Sequence, residues 1–158
     1  MSSRKIEDLT LEMRILYQAF DEGMREAGIP YVVTCTSRSV LEQMALYVQG
    51  RLPVKDVNSF RILAGMAPLM LERENQKVTW TLDSKHVTNM FDEDLDNDFS
   101  RAFDIAILKQ GRPTWDIKVS VDGDDVPDYD EAGQIGEKVG LRWGGRFSSP
   151  DRPHFEGP

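Results

Sequence analysis

An α+β domain is predicted by three features of the sequence: segments of helical apolar spacing near both ends, short β-branched and aromatic runs between them, and a length of 158 residues, enough for one core. From Ile6 to Ala27, Leu9, Met13, Leu16, Tyr17, Phe20 and Met24 recur at three- and four-residue steps, the pattern of an amphipathic helix, and Gly28 stops it. Tyr31–Thr36 reads as a short strand running into a loop at Ser37-Arg38-Ser39. Ser39 with Glu42 forms a capping box for a helix reaching about Gln49 and closed by Gly50. Val57–Leu71 has helical spacing interrupted by Gly65 and Pro68, and Val78–Leu82 has strand character. Asn89–Phe99 is an acidic loop, and Ala102–Leu108 is a buried strand apart from Asp104. Turns are expected at Gly111–Pro113 and Val121–Gly123, and a helix at Tyr129–Val139 closed by Gly140. Leu141–Trp143 reads as a final short strand before a Gly144-Gly145 turn. No repeat or low-complexity linker divides the chain, so one domain over 1–158 is expected.

The formal charge of -8 argues against a nucleic-acid partner, whose phosphates require a basic face. The single cysteine, Cys35, excludes an internal disulfide framework and a cysteine-based zinc cluster, so a metal here would need histidine and carboxylate ligands. No run of about 18 apolar residues occurs, and the N-terminal residues lack a signal-peptide core. No membrane insertion and a cytoplasmic site of synthesis are therefore expected.

There are two histidines, His86 and His154, and an aspartate, Asp104, set in an apolar strand. Such a carboxylate costs several kcal/mol unless paired or metal-bound; without a metal, Arg101, Arg38 or Arg142 would be its partner. Two imidazoles and one carboxylate make a three-ligand zinc set with a fourth position open for water, the arrangement of a catalytic site. Asp151, three residues before His154 on a proline-stiffened turn, is the candidate general base. Arg38, at a strand end, is suited to support an oxyanion or grip a carboxylate. Plainer roles exist: a turn cap for Asp151, an ion pair for Arg38, a turn for Ser84.

Taken in order, Gly28-Ile-Pro-Tyr-Val-Val-Thr-Cys-Thr-Ser-Arg38, Glu42-Gln-Met-Ala-Leu-Tyr47, Gly140-Leu-Arg-Trp-Gly-Gly and Asp151-Arg-Pro-His-Phe-Glu156 resemble the phage-lysin branch of the zinc D,D- and L,D-peptidase superfamily. That superfamily includes L-alanyl-D-glutamate endopeptidases and vancomycin-resistance D-alanyl-D-alanine peptidases. Its first two ligands lie in a Ser-x-His-x-x-Gly-x-Ala-x-Asp motif. Here Ser84-x-His86 and Ala102-x-Asp104 match, but Ser100 stands in place of the glycine and residues are inserted between. Asp92, Asp94, Asp96 and Asp98 in the insertion compete as ligands, although only Asp104 has the apolar strand setting that the family uses. Their spacing also suggests a Ca2+ loop, without its invariant glycine or bidentate glutamate. Leu52–Lys77, longer than in the shortest family members, is expected to form a lid or substrate wall.

The resemblance implies a small, mainly antiparallel sheet carrying one Zn2+ on His86, Asp104 and His154, with helices on its other face. It further implies Asp151 as base, Arg38 as oxyanion support, Ser84 as a substrate or supporting hydrogen bond, and Gln43 orienting Arg38 or the substrate. The implied partner is bacterial peptidoglycan, cut between L-alanine and D-glutamate by a monomeric bacteriophage endolysin released through a holin. A D-alanyl-D-alanine carboxypeptidase, or a wall-binding module without activity, are the alternatives.

Overall fold

The computed structural model describes residues 2–88 and 99–158; the 92–98 insertion, and with it the calcium expectation, lies outside them. Four helices accompany one antiparallel sheet among these residues, the expected α+β class. The strands are β1 (Tyr31–Cys35), β2 (Ala102–Lys109), β3 (Arg112–Thr114), β4 (Arg142–Trp143) and β5 (His154–Glu156), and the sheet runs β1-β2-β5-β4 with β3 also pairing β2. Ile107 is in register with both Tyr31 and Thr114, so β3 takes the edge of β2 that β5 uses at the strand's other end.

The helices are α1 (Leu11–Glu26), α2 (Val40–Val48), α3 (Val54–Leu63) and α4 (Asp128–Val139). α1 begins later than its apolar spacing predicts, because Thr10 Oγ1 accepts from Met13 N and caps it. The preceding Ile6–Asp8 is a single 3-10 turn, and Leu9 bridges to Ser100. The Ser39–Glu42 capping box forms on α2. The helix expected at Val57–Leu71 is displaced to α3, which stops before Gly65. Val78–Leu82 is not a strand, although its residue types predict one. The turn signalled by Gly111–Pro113 closes at Gln110–Gly111 and leads straight into β3, and Gly144–Arg146 is a 3-10 turn.

The core shows how the site is placed. Along β2, Phe103, Ile105 and Ile107 point into an apolar cluster with Met13, Phe20 and Met24 of α1 and Tyr129 and Ala132 of α4. Phe20 meets Phe103 at 5.5 Å and Phe155 at 4.8 Å between ring centroids. Gly136 of α4 lets the Phe155 ring approach to where a side chain would stand. Because strand side chains alternate, burying Phe103, Ile105 and Phe155 under α1 and α4 turns Asp104, His154 and Glu156 to the opposite face. The register sets Asp104 opposite His154 on one side and Cys35 on the other, making a row of chemically active groups across that face.

Candidate functional site

Two histidines far apart in sequence meet over Asp104. His86 Nε2 and His154 Nδ1 each lie 3.0 Å from Asp104 Oδ1, and 3.2 Å from each other. His154 and Asp104 are brought together by the β2–β5 register. His86 arrives on a loop whose backbone is bonded to that of Arg38: Arg38 N donates to His86 O and Thr88 N donates to Arg38 O. Ser84 Oγ accepts from His86 N at 3.4 Å and so shapes the turn before the imidazole. The insertion after His86 does not displace Asp104. Ser100 Oγ and Arg101 N both donate to Lys85 O, which returns the chain to β2 beside the residue it left.

The outer nitrogen of each imidazole faces an oxygen that can only accept. His86 Nδ1 is 3.0 Å from Thr36 O, and His154 Nε2 is 3.1 Å from Glu156 Oε2. These acceptors favour a hydrogen on each outer nitrogen, which leaves the inner nitrogen of a neutral imidazole free to turn its lone pair toward the Asp104 carboxylate. Three such donors at 3.0–3.2 Å require a cation among them. A tetrahedral ion about 2.0 Å from each ligand needs ligand separations of about 3.3 Å, close to those present. A proton is the other solution. Burial alone would disfavour the His86 imidazolium, but Asp104 outweighs it and raises the His86 pKa to about 10. Burial likewise opposes the charge on Asp104, while His86 and then His154 hold its carboxyl well below the usual carboxylate range.

Cys35, His86 and Asp104 also form a compact group with metal-ligating atoms. Cys35 Sγ, however, approaches His86 at Nδ1, at 3.7 Å, on the side already turned to Thr36. One imidazole cannot offer both nitrogens to one ion, and the Nε2 side, with Asp104 and His154, is the better centre. Cys35 instead accepts from Arg38 Nη2 at 3.3 Å.

Arg38 pairs with Asp104 Oδ2 at 3.3 Å, while Arg101 and Arg142 have other partners. Its Nη1 donates to Gln43 Oε1 at 3.1 Å. Gln43 is buried and does not line the cleft, so it reaches Arg38 and not the substrate space. Asp151 stands on the loop after Gly144, held by Asp151 N to Gly144 O and by Trp143 Nε1 to Arg152 O. Its side chain opens on the cleft, yet burial of the carboxyl and then the nearby Asp104 charge raise its pKa.

These residues lie in a cleft of about 910 Å³. Arg38, Ser84, His86, Asp104, Asp151 and His154 all line it. One wall is Val78–Thr81 with Asp83, and the other is Phe147–Asp151 with Arg142. None of Leu52–Lys77 lines the cleft; part of that segment buttresses the wall, with Asn75 Oδ1 accepting from Gly50 N. Glu156 and Cys35 were not among the residues singled out from sequence. The His154-x-Glu156 spacing, which puts both on one strand face, was the signal available for Glu156.

An α+β domain with a candidate metal centre on the open face of a small sheet is the class these features define. Residues 98–157, which carry Asp104, Asp151 and His154, match the model of a family described as D-alanyl-D-alanine carboxypeptidase. The crystal structure of the Serratia marcescens L-Ala D-Glu endopeptidase ChiX shares the fold, with a TM-score of 0.57 at 15% identity over 100% of this chain and 89% of that one. No curated protein matches the sequence. The family model thus matches the part of the chain that runs from β2 to β5, and the solved structure shares the fold.

Proposed function

We propose that the chain is a zinc-dependent peptidase that hydrolyses an amide in the stem peptide of bacterial peptidoglycan, between L-alanine and D-glutamate. The observation that carries this reading is the convergence of His86 Nε2 and His154 Nδ1 on the Asp104 carboxylate inside a cleft. The family match to carboxypeptidases and the fold of an L-Ala D-Glu endopeptidase support the substrate class.

His86, Asp104 and His154 would hold the ion. When bound, zinc acidifies water and polarises a carbonyl. Asp151 takes the proton of the attacking water and delivers it to the leaving amine; burial and the nearby Asp104 charge raise its pKa, which makes it a better proton acceptor than an ordinary carboxylate. Arg38 supplies positive charge to the developing oxyanion, and Gln43 and Asp104 fix its guanidinium. Ser84 serves by holding the His86 turn.

Mass spectrometry of muropeptides tests the bond. Zinc-loaded protein is expected to release products cut between L-alanine and D-glutamate, whereas loss of one terminal D-alanine would assign carboxypeptidase action, the reading that the family description favours. Asp151→Ala should keep its zinc and lose activity by about 10²–10⁴-fold. Full activity in that variant, or in excess chelator, would overturn the mechanism; intact muropeptides that nonetheless bind would make the protein a wall-binding module.

A further inference from the structure

Val78–Leu82 carries strand-type side chains, belongs to no strand, and is nevertheless held in place. Gln43 Nε2 donates to Thr81 O at 2.7 Å and to Thr79 Oγ1 at 3.3 Å, and both Nη atoms of Arg51 donate to Thr79 O at 3.1 Å. The two neighbours of Trp80 are thus anchored from beneath, and the indole between them stands 64% exposed in the cleft wall. Val78 and Leu82 on either side are also about half exposed, so the indole, which can bury about 150–250 Å², belongs to a run of exposed apolar side chains beside the site, the kind of surface that marks a ligand-binding wall.

We propose that Trp80 is a platform for a sugar ring, the glycan residue that bears the stem peptide. This rests on the peptidase reading above. In peptidoglycan the L-alanine is amide-linked to the lactyl group of the sugar, so the ring lies one residue from the bond to be cut. The cleft of about 910 Å³ is near the upper end of the roughly 300–1,000 Å³ range of ligand sites, more than two amino acids require. A pyranose has apolar C–H faces and a hydroxyl rim. The wall offers the matching pair: a flat aromatic, and beside it the Asp83 carboxylate, which has no hydrogen bond or ion pair among the described residues, in position to accept from hydroxyls. An extended peptide would instead need backbone acceptors on this wall, and those of Thr79 and Thr81 are already engaged by Arg51 and Gln43.

The test compares a muramoyl stem peptide with the same peptide lacking the sugar, using the zinc-loaded protein. Trp80→Ala is expected to lower kcat/KM on the sugar-bearing substrate about tenfold more than on the free peptide, and Trp80→Phe to recover most of that difference. Equal losses on both substrates, or no loss on either, overturn the platform. Equilibrium binding of the two peptides to Asp151→Ala separates this inference from the one beneath it. A preference for the sugar-bearing peptide that Trp80→Ala abolishes upholds the platform even where the parent protein cleaves neither substrate, a result that would overturn the peptidase reading alone. Absence of that preference overturns the platform.

Discussion

The two walls of the cleft are held by different kinds of bond. On the side of Asp104, His154 and Asp151, backbone does the positioning: β2–β5 register sets Asp104 opposite His154, and Gly144 O receives the Asp151 N–H. On the side of Val78–Ser84 no strand is present, and the side chains of Gln43 and Arg51 hold the chain. A wall fixed by register is insensitive to most single surface changes and intolerant of a shift in its backbone. A wall fixed by a few polar side chains can be reshaped by changing one of them. The contrast predicts that metal affinity and substrate preference are separable by mutation.

After loss of the Asp151 carboxylate itself, the largest effect should come from Gly144→Ala. A Cβ there would lie 2.3 Å from Asp151 O and 3.0 Å from His154 Cβ, so the loop carrying the base must move. A displacement near 1 Å at such a site costs on the order of 10²-fold in rate, read as kcat/KM on muropeptides, with a stability loss of about 1–3 kcal/mol by thermal melting. An active Gly144→Ala would show that the loop is not fixed by this contact.

Glu156→Gln should come next. Glu156 accepts from His154 Nε2 through one oxygen and from Arg142 Nη1, at 2.8 Å, through the other, and the bond to His154 lowers its own pKa. Removing the charge should weaken zinc binding by about 10–100-fold, measured by competition with a chromophoric chelator. Unchanged affinity would restrict Glu156 to anchoring Arg142.

The smallest effect on the chemistry belongs to Gly50→Ala, which acts on the other wall. Gly50 has φ +73°, and a Cβ would meet Lys77 N at 2.3 Å, pushing away the segment that leads to Trp80. Zinc affinity should stay within about twofold while KM rises roughly threefold. A loss of zinc in this variant would mean that the two walls are coupled.

Much of the fold was legible because local signals agreed with it: the periodicity of α1, the Ser39–Glu42 box, the apolar run of β2, and Gly140 after α4. β5 was not, since three residues after Pro153 carry too short a pattern to mark a strand until β2 and β4 flank them. Val78–Leu82 misled in the opposite direction: its residue types favour a strand, but its carbonyls are taken by side chains from the α2 region, a tertiary arrangement with no local trace. At the site, the residue types of His86, Asp104, His154, Asp151 and Arg38 could be picked out, whereas the shared face of Cys35 and Asp104 depends on register between strands distant in sequence.

The parallel bridge between Arg38 and Val87 has a consequence for how the protein can change. It closes the chain on itself just before α2 and just after His86, so everything from Ser39 to Lys85 leaves and returns through one backbone clasp. The part of that excursion that does not line the cleft, Leu52–Lys77, can vary in length while the clasp, Gln43 and Ser84 keep Arg38 and the first histidine in place. Replacing the wall between Arg51 and Ser84, with α2 and its Gln43 retained, is therefore the natural route to redirecting this scaffold toward other substrates.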